Sequence, residues 1–147
     1  MLYLSNFAER LKELMIENDL TASIIADKLR IDKSTISKYL SQERAPSIEN
    51  AVKLANIFDC TLDFMLGLVD ENIKKDFKHC PQFSERLQFL FINKRKTKYA
   101  LKKQTNISQS LLYYWLHDIY SPSVDNVIKL SDFFNCSFDY VLGRVDY

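Results

Sequence analysis

Apolar residues recur at helical spacing along most of the chain. Near the start, four of them predict a helix over about 7–18: Phe7, Leu11, Leu14 and Met15. Four more helix starts are predicted downstream, because at each a side-chain oxygen can accept a hydrogen bond from a backbone N–H group of the first turn. These N-cap residues are Thr21, Asp32, Ser47 and Thr61. The first half of the chain is therefore predicted to form five short helices.

The same pattern occurs twice, as an internal sequence repeat. The segment FAERLKELMI in the first half recurs 76 residues later as FSERLQFLFI. Residues 7–71 align with 83–147 without a gap, and 22 of the 65 aligned positions are identical. Such self-similarity indicates a duplicated domain, here of a size that can still fold alone. We define residues 1–71 as the first copy, 83–147 as the second copy, and 72–82 as the linker.

The second copy repeats the predicted helix starts. Its N-cap residues align with those of the first copy, and they are Thr97, Ser108, Ser123 and Ser137. Gly67 and Gly143 follow the last apolar residues of the two copies, where a left-handed residue commonly ends a helix. The chain has only two glycines and three prolines, too few for the many turns of a sheet-rich fold. We therefore predict an all-α protein of two tandem five-helix domains.

Composition excludes several classes of protein. With 47% hydrophobic and 27% charged residues, the chain has the balance of a globular protein rather than a disordered one. No apolar run approaches the ~18 residues of a transmembrane helix, so no membrane partner is expected. Three cysteines without metal-ligand spacing favour the reducing cytoplasm. We predict no metal, no cofactor and no small-molecule substrate.

An enzymatic function has no support in the sequence. The chain has only two histidines, His79 and His117, and His117 has no acid or nucleophile at motif spacing. It also lacks a glycine-rich loop that could hold a nucleotide. We therefore predict no catalytic residues.

The net charge of +1 hides an uneven distribution. The first copy has 8 Lys+Arg against 12 Asp+Glu, a net charge of −4. The second copy has 9 against 6, a net charge of +3, and the linker has 3 against 1, a net charge of +2. Asymmetry of this kind can mark a region that faces a polyanion.

The second and third predicted helices of the first copy carry the candidate chemistry. They span about 21–29 and 33–41, and only three residues join them, which suits a helix-turn-helix. On the third helix five polar side chains form one stripe: Lys33, Ser34, Ser37, Lys38 and Ser41. Cationic and hydroxyl side chains near a helix N-terminus can reach base edges in the DNA major groove. The alternative is that this stripe is an ordinary solvated face.

Around these helices the chain resembles the lambda-repressor/Cro-like helix-turn-helix family, also called the XRE family. The resemblance extends over both copies and rests on five features of the first: RLKEL at 10–14, a threonine start with Ile25-Ala26 in the second helix, STIS at 34–37, P-S-x-x-N followed by KLA within 46–55, and LDFMLG at 62–67. It implies five-helix DNA-binding modules, usually of bacterial or phage transcriptional regulators, with double-stranded DNA as the partner.

The resemblance also implies roles for individual residues. Base-reading positions would be Lys33, Ser34 and Lys38, with Thr35 and Ser37 beside them. Thr21 would meet a phosphate, a role that has a local physical reason because helix N-termini bind anions.

Two departures from the family pattern affect both copies. The family often has glycine at the turn, where this chain has Arg30 and Asn106, and an arginine there would be strained in a left-handed conformation. Many members pair the arginine of the first helix with a glutamate that ends the recognition helix. Leucine occupies that position here, so Arg10 and Arg86 must have other partners.

The second copy departs further. Lys102 replaces the small Ala26 at a place where the second and third helices usually pack closely. The third helix of this copy, about 109–117, carries a different stripe: Gln109, Ser110, Tyr113, Tyr114 and His117. A basic cluster, KRKTK at 94–98, surrounds the start of the second helix and includes Thr97 and Lys98.

Two interpretations of the second copy stay open. Basic residues around a helix start suit phosphate contacts, and Gln109 could bond to adenine. Tyr113 and Tyr114, with Leu111, would instead suit a protein-contact patch, because aromatic residues are enriched at interfaces.

The sequence therefore predicts a sequence-specific DNA-binding transcriptional regulator, with a protein-interaction module of the same fold as the alternative. Its assembly has two predicted forms. One chain could act as a pseudo-dimer on a non-palindromic site, because an extended linker of 11 residues reaches about 36–40 Å and half-sites lie about 34–36 Å apart. Otherwise two chains pair as a homodimer through Tyr113, Tyr114 and Leu111, or through Ile73 and Phe77 of the linker.

Overall fold

In a computed structural model, which describes residues 2–146, the chain forms ten α-helices and no strand within that range. The helices are α1 (Leu2–Glu17), α2 (Ala22–Leu29), α3 (Lys33–Leu40), α4 (Ile48–Phe58), α5 (Leu62–Met65), α6 (Phe83–Asn93), α7 (Lys98–Thr105), α8 (Gln109–Leu116), α9 (Val124–Phe134) and α10 (Phe138–Leu142). The predicted fold class, all-α with five helices in each copy, is confirmed. No helix in the described range is both long enough and apolar enough to span a membrane.

Two compact units divide the chain after Lys74. In the first unit α1 packs on α3 and α5, while α4 packs on α2 and α5. In the second unit α6 packs on α8 and α10, while α9 packs on α7 and α10. These contacts correspond helix by helix, and the exception is the close packing of α2 on α3, which α7 and α8 do not repeat.

Aligned positions form the two cores. The buried apolar side chains of the first unit include Leu11, Ile25, Ile36, Tyr39, Leu54 and Leu62. Their counterparts in the second unit are also buried: Leu87, Leu101, Leu112, Trp115, Leu130 and Phe138. Full burial of an apolar side chain of this size stabilises a fold by about 1.5–3 kcal/mol. The repeated apolar pattern is thus what specifies the repeated fold.

Seven of the eight predicted N-cap side chains accept a backbone hydrogen bond in the first turn of their helix: Thr21, Ser47, Thr61, Thr97, Ser108, Ser123 and Ser137. Asp32 occupies the N-cap position of α3, but the prediction that its side chain caps this helix is wrong. The reason is local: the N–H of Thr35, which a capping side chain would bind, donates instead to the Asp32 carbonyl at 2.9 Å.

Left-handed residues occur in pairs that are 76 positions apart. The pairs are Asp19 and Arg95, Arg30 and Asn106, Gln42 and Asp118, Asp59 and Asn135, and Gly67 and Gly143. Arg30 ends α2 at a φ of 57°, so the turn of the first helix-turn-helix holds an arginine in a conformation that costs an L-residue about 1–2 kcal/mol. Asn106, at a φ of 60°, suits the same turn better because asparagine visits this region more readily.

The two arginines of the first helices join the ends of each copy. Arg10 donates from Nη1 to the carbonyl of Phe64 at 2.9 Å, and its guanidinium carbon lies 3.9 Å from the centroid of that ring. Arg86 donates from Nε to the carbonyl of Tyr140, also at 2.9 Å. In both copies the arginine therefore binds helix five instead of a glutamate on the recognition helix.

The predicted linker, residues 72–82, is attached to the unit on either side of it. At its start, the backbone N–H of Thr61 donates to the side chain of Asn72 at 3.1 Å. Towards its end, the N–H of Lys78 donates to the carbonyl of Arg144 at 2.7 Å. Extension of all 11 residues to about 36–40 Å would break these contacts.

Candidate nucleic-acid interface

The polar stripe predicted on α3 lies at the surface of the first unit. All five of its side chains are exposed, namely Lys33, Ser34, Ser37, Lys38 and Ser41, while Thr35 beside them is half-buried. Ile36 and Tyr39, on the opposite side of the helix, are buried. The helix thus has one apolar face in the core and one polar face that a ligand can reach.

Buried contacts hold α3 in place. It packs closely against α2, the other helix of the helix-turn-helix. The ring of Tyr39 meets that of Phe7 edge-on, with 5.9 Å between the centroids. The side-chain amide of Asn50 donates to the hydroxyl of Tyr39 at 2.9 Å, which ties α3 to α4. These contacts present the stripe on a fixed support, as sequence reading by side chains requires.

The helix-turn-helix elements have electropositive N-termini. No acidic residue lies in the first turn of α2, α3, α7 or α8. In contrast, α4, α5, α9 and α10 each have one there. A carboxylate in the first turn would repel a phosphate from the positive end of the helix dipole. Of the helix-turn-helix elements, α3 starts after the carboxylate of its N-cap residue Asp32, whereas α2, α7 and α8 have the hydroxyl residues Thr21, Thr97 and Ser108 there. The starts of α2, α7 and α8 are therefore suited to lie near a nucleic-acid backbone.

In the second unit the corresponding helices do not pack closely on each other. A groove of about 640 Å³ separates α7 from α8. Ala26 of α2 is buried, whereas Lys102, which takes its place on α7, is exposed. Burial of an unpaired lysine charge is costly, so α7 cannot approach α8 as α2 approaches α3. Lys98, Gln109 and Tyr113 of the predicted site line this groove.

The side chains of the stripe predicted on α8 lie in two different environments, one exposed and one half-buried. Gln109, Ser110 and Tyr113 are exposed, and the ring of Tyr113 stacks on that of His117 with 4.0 Å between centroids. Tyr114 is half-buried and meets the ring of Tyr120 edge-on at 5.1 Å. The structure thus brings Tyr113 together with the groove but directs Tyr114 towards a different neighbour.

The cations of the basic cluster at 94–98 also differ in their surroundings. Lys94 and Lys96 place Nζ 5.4 Å from the centroids of the Tyr140 and Phe133 rings, respectively. Arg95 is exposed at a left-handed turn, and Lys98 is exposed at the start of α7. Arg95 and Lys98 are therefore the cations of this cluster best placed to meet a phosphate.

The cysteines show no arrangement suited to a metal. Cys60 is buried, while Cys80 and Cys136 are half-buried. Burial raises the pKa of the Cys80 thiol, although the nearby Arg144 and Arg86 act in the opposite direction. Within residues 2–146 there is no group of three or more His, Cys, Asp or Glu side chains that could hold a metal ion.

Sequence reasoning missed three residues that shape the second unit. The Asp118 carboxylate accepts from the hydroxyl of Ser84 at 2.6 Å and from its N–H at 3.4 Å, so it caps α6 from a distant part of the sequence. Arg144 is fully buried and pairs with Asp139. Tyr99 is 73% exposed on α7 and lines the groove. Of these, only Tyr99 had a visible signal: an aromatic residue among lysines at a polar helix start.

Comparison with known proteins gives matches over both copies. A family model described as helix-turn-helix matches residues 11–65 and 91–141. The chain is 31% identical over 81 residues to the uncharacterised HTH-type transcriptional regulator YobD of Bacillus subtilis (strain 168), which covers 54% of this chain and 72% of YobD. It is 42% identical over 59 residues to the HTH-type transcriptional regulator AnsR of the same organism, covering 40% of this chain and 51% of AnsR. A solved transcriptional regulator from Listeria innocua covers 79% of this chain and 96% of its own, with a TM-score of 0.41 and 26% identity.

Proposed function

We propose that this chain, which belongs to the helix-turn-helix family, is a sequence-specific DNA-binding transcriptional regulator that acts in the bacterial cytoplasm. The observation that carries the proposal is the exposed polar stripe of α3, supported from behind by the buried Tyr39. The relatives named above are called transcriptional regulators, which supports the same function.

In this proposal the first copy reads sequence with α3. Lys33 and Lys38 donate to guanine or to phosphate, and Ser34 bonds to a base edge, with Thr35 and Ser37 at the margin. Thr21 lies at the exposed start of α2, where backbone N–H groups and the helix dipole favour a phosphate. Phosphate contacts set the orientation on the duplex, and base contacts supply the specificity.

The test begins with selection of bound sequences from a random DNA library by the full chain. Lys33→Ala and Lys38→Ala are then compared with the wild type on the selected site and on a scrambled one. Removal of a side chain that binds a base weakens binding to the selected site by about 1–3 kcal/mol and relaxes specificity at one position. Lys53→Ala is the matched control, because Lys53 is an exposed lysine of α4 that pairs with Glu49 at 3.1 Å, away from the stripe. A variant that binds as tightly and selectively as the wild type contradicts that residue's assigned role.

For the second copy we infer phosphate contacts by Thr97 and Lys98 and base contacts by Gln109 and Ser110, with Tyr113 and Tyr114 beside them. The net charge of +3 of this copy and the exposure of Lys98 support this role. The competing function, a protein contact, is favoured by the exposed ring of Tyr113. Selection with a Gln109→Ala chain separates the two, because only a base-reading second copy loses preference at part of the site.

We further propose that one chain binds as a pseudo-dimer to a non-palindromic site. The two stripes differ in chemistry, being rich in lysine and serine on α3 and in tyrosine on α8, so they cannot read identical half-sites. Light scattering and footprinting test the assembly together. A monomer that protects an asymmetric site supports the proposal, whereas a stable homodimer that protects a palindrome overturns it.

A further inference from the structure

The groove between α7 and α8 has the dimensions and lining of a ligand site. The groove is open to solvent and has a volume of about 640 Å³, within the range of roughly 300–1,000 Å³ that is usual for small-molecule pockets. The buried core residues Leu101, Ile107 and Leu112 lie behind it, and its solvent-accessible apolar lining comes from the half-buried Leu116 and the exposed rings of Tyr99 and Tyr113. A ligand that covers Leu116 and these rings removes apolar surface from water, which favours its binding.

The charged groups that line the groove all have one sign. Lys98, Lys102 and Lys103 line it, and no acidic side chain does so among the described residues. The ring of Tyr99 also lines the groove, with Nζ of Lys103 5.9 Å from its centroid. The site therefore combines a hydrophobic surface with cationic and aromatic groups.

We propose that this groove binds a small amphipathic organic anion, such as an aliphatic carboxylate. Its hydrocarbon part would cover Leu116 and the rings of Tyr99 and Tyr113, and its anionic group would meet the lysines. A DNA phosphate backbone would pair with the lysines alone, because it offers these apolar side chains no apolar partner. A partner helix fits less well, because α7 and α8 have eight residues each and are therefore only about 12 Å long.

Lys102 explains why α7 and α8 leave this groove although α2 and α3 pack closely on each other. In the first unit Ala26 allows α2 to pack on α3, and the two helices bury each other's apolar sides. In the second unit Lys102 holds the helices apart and at the same time supplies one of the cations. The substitution thus opens the groove and sets its charge preference.

The test uses the full chain and three probes of equal chain length, all below their micelle concentrations: decanoate, decanol and decyltrimethylammonium. Calorimetry without DNA measures binding directly. Decanoate is expected to bind at one site per chain and about tenfold more tightly than decanol, the value of one charge-assisted hydrogen bond. The cationic probe is expected to bind least. Equal affinity for decanoate and decanol, or no binding of decanoate, overturns the proposal.

Three variants locate the binding site. Lys102→Ala is expected to close the groove and to abolish decanoate binding. Lys103→Gln keeps the groove open and is expected to reduce the preference for decanoate over decanol. Lys129→Ala, which removes an exposed lysine of α9 that does not line the groove, is expected to bind like the wild type. Unchanged binding by both Lys102→Ala and Lys103→Gln would place the ligand elsewhere and overturn the proposal. This site does not depend on the proposed DNA function, which is measured separately on the selected DNA without ligand.

Discussion

Replacing Arg144 by leucine, the residue at the aligned position 68, removes the centre of a buried cluster in the second unit. The Arg144 side chain is 0% exposed, and its Nη1 lies 2.9 Å from Oδ1 of the equally buried Asp139. Its guanidinium carbon is 3.8 Å from the centroid of the Phe77 ring, and its carbonyl accepts from the N–H of Lys78. One residue therefore supports both α10 and the end of the linker.

The expected loss of stability is large because the variant removes the guanidinium that compensates the buried Asp139 carboxylate. Breaking a buried pair by removal of one member typically costs about 3–5 kcal/mol. Lys78→Ala is the matched control: it removes the pair of Lys78 with Asp146, which is exposed on both sides, and such pairs contribute about 0–1 kcal/mol. Arg144→Leu/Asp139→Asn should lose less stability than Arg144→Leu alone, because the remaining charge is also removed.

Denaturant unfolding followed by tryptophan fluorescence measures these losses of stability. Trp115 is the only tryptophan of the chain, is buried, and lies in the second unit, so its signal reports the unit that the substitution affects. A loss of less than about 1 kcal/mol in Arg144→Leu, comparable to that of an exposed pair, would refute this account of the ion pair.

The alkylation rate of Cys80 tests separately whether Arg144 holds the linker. Burial is the main cause of the raised pKa of this thiol, whereas the charge of Arg144 lowers it. If Arg144→Leu releases the end of the linker from the second unit, Cys80 loses its burial and the pKa of its thiol falls. Alkylation near neutral pH then becomes faster. If the segment stays in place, only the favourable charge is removed and alkylation becomes slower. Peptide mapping separates Cys80 from Cys60 and Cys136, and a slower rate at Cys80 would contradict the proposed attachment.

Three further predictions concern the helix-turn-helix elements. The double variant Arg95→Gln/Lys98→Gln should weaken binding to all DNA sequences alike. The slope of log binding constant against log salt concentration should become shallower by about 0.9 for each phosphate that the variant no longer binds. An unchanged slope would mean that neither cation contacts the DNA. Lys102→Ala should raise the stability of the second unit by about 1–2 kcal/mol, as one or two more CH₂ groups become buried, and a loss of stability on denaturant unfolding would contradict this. Arg30→Gly should stabilise the first unit by about 1 kcal/mol, and Asn106→Gly should stabilise the second unit by less, because arginine is more strained than asparagine in the left-handed turn. Thermal unfolding followed by circular dichroism measures both changes in stability. Equal effects of the two substitutions would argue against strain at Arg30.

The sequence was sufficient for those features that depend on local chemistry. Apolar spacing predicted the core, and hydroxyl side chains such as Thr21 and Thr97 predicted the helix starts, because a cap interacts within its own first turn. The same reasoning failed at Asp32, where the carbonyl of the N-cap residue replaced its side chain as acceptor. The carbonyl and the side-chain oxygens of an N-cap residue lie only a few atoms apart, and residue type does not decide which of them accepts the hydrogen bond.

Features that depend on distant partners could not be predicted. Nothing in the sequence of the linker indicated that the carbonyl of Arg144, 66 positions after Lys78, accepts from its backbone. Asp118 caps α6 across 34 positions for the same reason. Lys102 was recognised as unusual at a close-packed position, yet whether the lysine is buried, displaced or separates the helices depends on how the rest of the unit supports each helix.

That support explains how the second copy tolerates a groove inside its helix-turn-helix. α8 is held from behind by α6, where the rings of Phe83 and Trp115 meet edge-on at 6.1 Å, and α7 is held by α9. Neither helix relies on the other for its place in the core, so Lys102 separates the two without unfolding the unit. In the first copy Ala26 keeps α2 against α3, so the exposed stripe of α3 lies on a fixed support. Duplication thus allows one copy to keep the close-packed pair of helices, while the other uses the corresponding two helices to enclose a cationic, apolar groove.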